Sequence, residues 1–399
     1  MAEPFDLDVT VLGGCGHVGL PLALALSDRG LKTAIYDISE AAVERVARAE
    51  MPFQENGAAP VLEQRIADGS LSATTDPAVI ARSEAVVIVI GTPVDEHLNP
   101  DPGAVTRALL ACGDNFRDGQ LIILRSTVFP GVTAAVERYM TDRGLDVDVT
   151  FCPERIAEGH AMTELFELPQ IIGSRTERAA ERCEHLFRTM TDSVVHVSPE
   201  EAELAKLFTN AWRYVKFATA NQFFMMANDF GLDFERIREA VTFEYPRAAD
   251  MPSPGFAAGP CLLKDTMQLA AFTNNTFVLG HSAMLVNEGL PLYVVSRLEQ
   301  RFDLRDLTVG LLGMAFKAGS DDVRESLAYK LRRILRFRAG DVLCTDPYVT
   351  SDPTLLPLEE VVARSDLLVI AAPHADYRSM TLTPPVIDIW GCRGEGTII

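Results

Sequence analysis

Cys261-Leu262-Leu263-Lys264-Asp265 sets a thiol beside a cation and a carboxylate, directly after Gly259-Pro260. The thiolate is the nucleophilic form of cysteine, and a helix starting near Cys261 would favour it. Far upstream, Gly14-Cys15-Gly16-His17-Val18-Gly19 has the spacing of a dinucleotide-binding turn. A nicotinamide site alone moves one hydride. Joined to a nucleophilic thiol, it could hold an aldehyde covalently so that a second hydride leaves. The competing reading makes Cys261 one of seven cysteines buried as small hydrophobes.

Each glycine of the turn has its own task. Gly14 permits the tight turn, Gly16 lets backbone approach a pyrophosphate, and Gly19 lets helix and strand pack closely. The helix opening at Leu20 supplies N–H groups and a partial positive charge for phosphates. Asp37, at the end of the next strand, can accept both ribose hydroxyls and disfavours a 2′-phosphate, so NAD is expected over NADP. Lys206 and Asn210 stand at i and i+4, on one helix face. They read either as a solvated stripe or as a pair stabilising a reacting oxygen. Pro153-Glu154-Arg155-Ile156-Ala157-Glu158-Gly159, Thr92-Pro93 and Ser126-Thr127 follow expected strands, where ligands meet this architecture and where exposed loops also lie. Phe316 to Ser326 carries Lys317 and Arg324, which could clamp phosphates or lie on the surface.

These residues need elements to position them. Val9–Leu12, Thr33–Tyr36, Ala85–Ile90, Leu121–Leu124 and Val147–Phe151 read as strands. Leu20–Arg29, Ala41–Ala49, Ala104–Cys112 and Val132–Asp142 read as helices between them. The alternation implies a parallel sheet with helices on both faces. Glu200 to Phe230 is one apolar-periodic stretch without Pro or Gly, long enough to join domains or carry a dimer interface, with Trp212, Phe223 and Phe224 suited to either. More helices follow to about Gln300, around a loop holding Pro246, Pro252, Pro254 and Pro260. From Thr308 a second α/β pattern begins, with strands at Thr308–Leu312, Asp341–Thr345, Leu367–Ala371 and Val386–Ile389 and a helix at Leu327–Phe337. The expected fold is α/β: two Rossmann-like doubly wound domains, 1–198 and 303–399, joined by a central helical domain, 199–302.

A chain of 399 residues with 48% hydrophobic and 23% charged residues is ordinary globular protein, large enough for two or three domains. The start, Met1 to Asp8, lacks the apolar run of a signal peptide, and no segment reads as membrane-spanning, so a cytoplasmic protein is expected. A net charge of −20 argues against nucleic-acid binding. The cysteines show no zinc-like spacing, and no metal is expected.

Taken in order, Gly14–Gly19, Ser126-Thr127, Pro153–Gly159, Lys206-x-x-x-Asn210 with Cys261-x-x-Lys264-Asp265, and Phe316–Ser326 resemble one family, the nucleotide-diphosphate-sugar 6-dehydrogenases. It includes UDP-glucose, UDP-N-acetylglucosamine and UDP-N-acetylmannosamine dehydrogenases. The resemblance spans nearly the whole chain. It implies an NAD domain, a long dimer-building helix, a nucleotide-binding C-terminal domain and a homodimer. It also implies oxidation of a sugar C6 alcohol to a carboxylate with two NAD and a water. By resemblance Cys261 is the nucleophile, forming a thiohemiacetal and then a thioester. Lys206 and Asn210 stabilise charge on the C6 oxygen, and Asp265 acts through water in proton transfer. Glu154 serves thioester hydrolysis, and Thr127 lies near the reacting centre. His17, Val18, Asp37, Thr92, Glu158, Lys264 and Arg324 match cofactor contacts. Arg155, Lys317 and the loop with Gly255, Phe256 and Gly259 match the substrate side.

The chain departs from the family where Phe256 and Ala258 stand at positions commonly glycine. Arg155 after Glu154 resembles the N-acetylhexosamine branch, whereas Cys-Leu-Leu-Lys-Asp resembles the glucose branch. UDP-glucose, a UDP-N-acetylhexosamine and dTDP-glucose all remain open as substrates. Two other readings are a two-electron 3-hydroxyacid-type dehydrogenase and a catalytically silent binding regulator.

Overall fold

A short apolar run settles as a strand when neighbours cover both of its faces, and most of the runs named above do so. A computed structural model describes residues 4–92, 94–95, 100–394 and 396–399. The chain forms two units, Met1–Phe208 and Thr209–Ile399. The first contains strands β1 (Leu7–Leu12), β2 (Thr33–Tyr36), β3 (Leu71–Thr74), β4 (Ser83–Ile88), β5 (Leu121–Leu124), β6 (Asp148–Phe151), β7 (Gln170–Ser174) and β8 (Val194–Val197). They form one sheet in the order β3-β2-β1-β4-β5-β6-β7-β8. Its helices are α1 (Gly19–Asp28), α2 (Glu40–Ala47), α3 (Ala58–Ala67), α4 (Ala104–Ala111), α5 (Val132–Asp142), α6 (Ala161–Glu167) and α7 (Glu177–Phe187).

Successive strand residues face opposite ways. Val9, Val11, Ala85, Val87, Leu121 and Ile123 join the core beneath α1, α3 and α7. Leu12, Val86, Ile88, Ile122 and Leu124 join the core beneath α4 and α5. A sheet covered on both faces reads as continuous apolar runs, which is why these strands stand out in the sequence.

The sheet is not wholly parallel as expected: β7 runs antiparallel to β6, pairing Thr150 with Ser174 and Phe151 with Gly173. The connection stays at the carboxyl edge of the sheet. Glu154 is tied to Arg125 there, and Glu55 accepts from Gly159 N–H at 2.7 Å and Ala161 N–H at 2.9 Å. β7 therefore starts from that edge. β3, β7 and β8 escape the sequence pattern because Leu-Ser-Ala-Thr, Gln-Ile-Ile-Gly-Ser and Val-Val-His-Val mix polar residues or glycine into short, partly exposed strands.

Helix α8 (Pro199–Asp229) has 31 residues and runs across the boundary between the units. Phe224 is buried, whereas Trp212 is 61% and Phe223 43% exposed. The second unit continues with α9 (Phe234–Thr242), α10 (Leu262–Phe272), α11 (Val278–Arg301), α12 (Leu327–Leu335) and α13 (Leu358–Arg364). Its sheet, β9 (Thr308–Leu312), β10 (Asp341–Thr345), β11 (Leu367–Ile370) and β12 (Val386–Asp388), is parallel throughout in the order β10-β9-β11-β12. Among the described residues no helix is long and apolar enough to cross a membrane.

Both sheets build the same turn after their central strand. Gly13, at φ +76°, donates its N–H to Tyr36 O at 2.8 Å; Gly313, at φ +92°, donates to Thr345 O at 2.9 Å. An aspartate follows each accepting residue. Asp37 takes the N–H of Cys15 at 3.0 Å, and Asp346 takes those of Met314 and Ala315 at 2.6 and 2.9 Å.

Candidate active site

The glycine turn between β1 and α1 has the shape its spacing calls for. A Cβ on Gly14 would lie 2.8 Å from Val11 O and from the Ile35 side chain, and one on Gly19 would lie 2.6 Å from Gly13 O. Those two glycines are demanded by the fold itself. A Cβ on exposed Gly16 would meet nothing closer than 3.8 Å, so its small size serves something outside the turn. Val18 precedes α1, whose first turn carries no acid and no side-chain cap, leaving its N-terminal dipole for an anion. His17 stacks on Phe53 at 4.0 Å between centroids. Asp37 is half-buried and accepts from Cys15 and Ser39 N–H groups at 3.0 Å, which aims its carboxylate beside the turn. These residues fit the pyrophosphate and ribose of a dinucleotide.

At the carboxyl ends of β4 and β5, Thr92 Oγ1 donates to Thr127 O at 2.5 Å. Pro93 lies outside the described residues. Ser126, buried, accepts from Ile90 N–H at 2.7 Å. Next to it is Arg125, which the sequence reading passed over. Its guanidinium is fully buried, donating to Glu154 Oε2 from Nε at 2.9 Å and from Nη2 at 2.5 Å, and to Gln170 Oε1 at 3.1 Å from Nη1. Burial works against its charge, yet Glu154 and Cys152 raise its proton affinity above the ordinary arginine value. Glu154 Oε1 meanwhile accepts from the N–H groups of Arg155 and Ile156 at 2.7 and 3.0 Å. The guanidinium of Arg155 is bonded to Pro169 O. Glu158, half-buried, precedes Gly159, which Glu55 anchors.

Cys261 stands at the N-terminal boundary of α10 and is exposed. Cys15 and Cys112 behave as the bland reading expects. Burial pushes the thiol of Cys112 up to about 11, and burial followed by the charge of Asp37 pushes that of Cys15 up to about 12. An accessible sulfur at a helix start has a setting that stabilises a thiolate. One turn on, Asp265 N–H donates to Cys261 O at 2.9 Å, and the Asp265 side chain is buried between Lys264 Nζ at 2.8 Å and Asn210 Nδ2 at 2.5 Å. Lys206 and Asn210 are buried, at 9% and 4% exposure. That removes the solvated-stripe reading.

The loop before the cysteine is pinned by residues the sequence reading missed. Asn221 accepts from Gly255 N–H at 2.8 Å and donates to Gly255 O at 3.0 Å and to Asn287 Oδ1 at 2.9 Å; Asn287 in turn donates to Tyr214 O at 3.1 Å. Asparagines inside apolar helical stretches were the available signal, since an amide that folding buries there needs partners. Gly255 and Gly259 have φ of +144° and +100°, which only glycine adopts without strain. Phe256 departs from expectation: its ring is 4% exposed and packs edge-on to Trp390 at 6.3 Å, so its side chain belongs to the core. Gly259 N–H donates to Glu325 O, and a Cβ there would strike the Phe316 ring at 2.6 Å. Lys317 Nζ lies 5.4 Å from the centre of that ring. Arg324 is gripped by Asp322 at 2.6–3.0 Å rather than held out as a lone cation. No cluster of potential metal ligands occurs among the described residues.

The family models for the NAD-binding, central and UDP-binding domains of the UDP-glucose/GDP-mannose dehydrogenase family match residues 7–191, 200–288 and 310–394. The UDP-N-acetyl-D-mannosamine dehydrogenase of Pyrococcus horikoshii is 30% identical over 92% of this chain and 90% of its own. An NDP-N-acetyl-D-galactosaminuronic acid dehydrogenase of Ralstonia solanacearum is 28% identical over 95% and 94%. A solved UDP-glucose dehydrogenase from Pyrobaculum islandicum, 27% identical, superposes with a TM-score of 0.90 over 100% of this chain and 98% of that one. A thiol on a helix start and a dinucleotide turn at the end of β1 thus sit in a chain that belongs to the UDP-glucose/GDP-mannose dehydrogenase family, and the protein is an NAD-dependent nucleotide-sugar dehydrogenase.

Proposed function

We propose that the enzyme oxidises the C6 alcohol of a UDP-N-acetylhexosamine, with N-acetylmannosamine the first candidate, to the uronic acid in two oxidations, the second of them on Cys261. The observation that carries this reading is the exposed sulfur of Cys261 at the head of α10, beside the Lys264–Asp265–Asn210 cluster. The choice of sugar is supported by the acetamido sugars named for the relatives from Pyrococcus and Ralstonia.

NAD held at the Gly14–Gly19 turn, with Asp37 on its ribose, supplies the hydride acceptor. Thr92, Thr127, Glu158 and Lys264 stand as its further contacts. After the alcohol has become an aldehyde, the Cys261 thiolate adds to C6 and gives a thiohemiacetal. Loss of a second hydride leaves a thioester, which water cleaves to the carboxylate and the free thiol. Asn210 has a second amide N–H beyond the one given to Asp265, and with the Lys206 ammonium it stabilises negative charge on the C6 oxygen. Asp265 takes part in proton transfer through water. A carboxylate offers about four lone-pair sites, and Glu154 has four donors on it. In this reading Glu154 therefore positions the 154–159 loop instead of activating the hydrolytic water. Lys317 and the backbone of the 255–259 loop hold the nucleotide sugar.

The test is the count of NADH formed per UDP-N-acetylmannosamine consumed. Two is the expected result. A count of one, with the aldehyde as product, would refute the thioester route, and no turnover of any UDP-N-acetylhexosamine would refute the substrate.

We further infer a division into an NAD domain (1–198), a central segment (199–302) and a nucleotide-sugar domain (303–399), and a homodimer formed along α8. The dimer is supported by Phe208, Trp212, Phe223 and Met226, apolar side chains 43–61% exposed on that helix, and by Phe230 just past its end, 83% exposed. Sedimentation equilibrium should return twice the chain mass of 43.6 kDa, and replacing Trp212 and Phe223 with lysine should shift it toward the monomer.

A further inference from the structure

We propose that the buried His374–Asp346 pair is a positioning device for the loop carrying Lys317, and through it sets the affinity for the nucleotide sugar. The inference rests on the reading that Lys317 contacts the substrate. His374 follows β11, and its side chain is entirely buried. Its Nδ1 accepts the N–H of Gly319 at 3.0 Å, so the ring proton sits on Nε2, which lies 3.1 Å from Asp346 Oδ2. Tyr348 and Tyr377 close over the ring at 5.0 and 5.7 Å between centroids.

The comparison with Asp37 shows what has changed. Both aspartates close the same turn, and both residues are half-buried overall, but Asp37 accepts from two donors, both backbone N–H groups. Asp346 has five: the N–H groups of Met314, Ala315, Tyr348 and Val349, and His374. Its side chain is fully buried, so no ribose hydroxyl can reach it. The residue three places after the turn glycine is Gly16 in the first sheet and Phe316 in the second, whose ring covers Gly259. A phosphate cannot approach the second turn as it approaches the first. The second sheet must therefore hold its nucleotide with the loop that follows, 317–322. That loop is fastened at its midpoint by Gly319 to His374 and at its ends by Phe316 N–H to Asp322 O at 2.9 Å. Its carboxylate has been turned from a ligand acceptor into a strut.

His374→Asn, His374→Gln and His374→Ala separate the two halves of the pair. An asparagine places its amide oxygen near the position of Nδ1 and can accept from Gly319. A glutamine reaches the position of Nε2, keeping Asp346 and losing Gly319. The expected result is a KM for the nucleotide sugar raised about tenfold in the Ala and Gln variants, the worth of one buried hydrogen bond, with the KM for NAD unchanged and most of the loss recovered in the Asn variant. Calorimetric titration with UDP should show the same ratios in Kd without any turnover. An unchanged UDP affinity in a Gln variant with a native circular-dichroism melt would overturn the inference, as would a parallel rise in the KM for NAD. If the wild-type protein binds UDP but oxidises no acetamido sugar, the proposed substrate fails while the UDP titrations still decide this point.

Discussion

Serine in place of Cys261 should lower uronate production by about a thousandfold or more while the first oxidation remains measurable. The oxygen nucleophile would have to be deprotonated at a helix terminus, and an alkoxide is far costlier to form than a thiolate. Any ester that did form would hydrolyse more slowly than a thioester. Rapid-quench analysis should therefore find aldehyde in the variant, with one NADH released per sugar, or an ester-linked sugar that accumulates after a second NADH per site, with little free uronate in either case. Steady uronate formation near the wild-type rate would show that the sulfur is not the attacking atom. Cys261→Ala removes the nucleophile altogether and should stop at the aldehyde.

The second large effect concerns stability. Arg125→Met should destabilise the first unit by about 3–5 kcal/mol, because it strands the Glu154 carboxylate in a site 8% exposed without its cation. For a unit of this size that corresponds to a melting point lower by about 10 °C. Glu154→Gln added to Arg125→Met should recover part of the loss, since the uncompensated charge is then gone. If the double variant melts no higher than the single, the ion pair is not the source of the cost, and the packing of the guanidinium over Phe187 at 4.8 Å takes its place.

Much of this was legible in the residues. Gly14 and Gly19 could be assigned their tasks because a turn of that spacing leaves no room for a Cβ, and the coordinates repeat that reason atom by atom. The strands flanked on both faces by helices announced themselves as unbroken apolar runs. What was not legible depended on contacts far apart in sequence. Arg125 carries no signal of its own until Glu154, Gln170 and Phe187 are brought around it. Asn221 and Asn287 look like interruptions of an apolar helix until the backbone of Gly255 fills their hydrogen bonds. The direction of β7 is set by where Glu55 and Glu154 tether the chain before it, which no local pattern encodes. Phe256 could be read as facing a ligand only because Trp390, its neighbour in space, lies far along the chain.

The paired turns at Gly13 and Gly313 have a bearing on ancestry. Two halves that close the same loop with the same carboxylate-to-amide contact are what copying of a single nucleotide-binding unit would leave behind. After such a duplication, one copy could keep its acid open for a coenzyme. The other, once an imidazole had sealed it, was released to bind a different molecule by other means. Divergence of function then required little more than a change in which side of one carboxylate met the solvent.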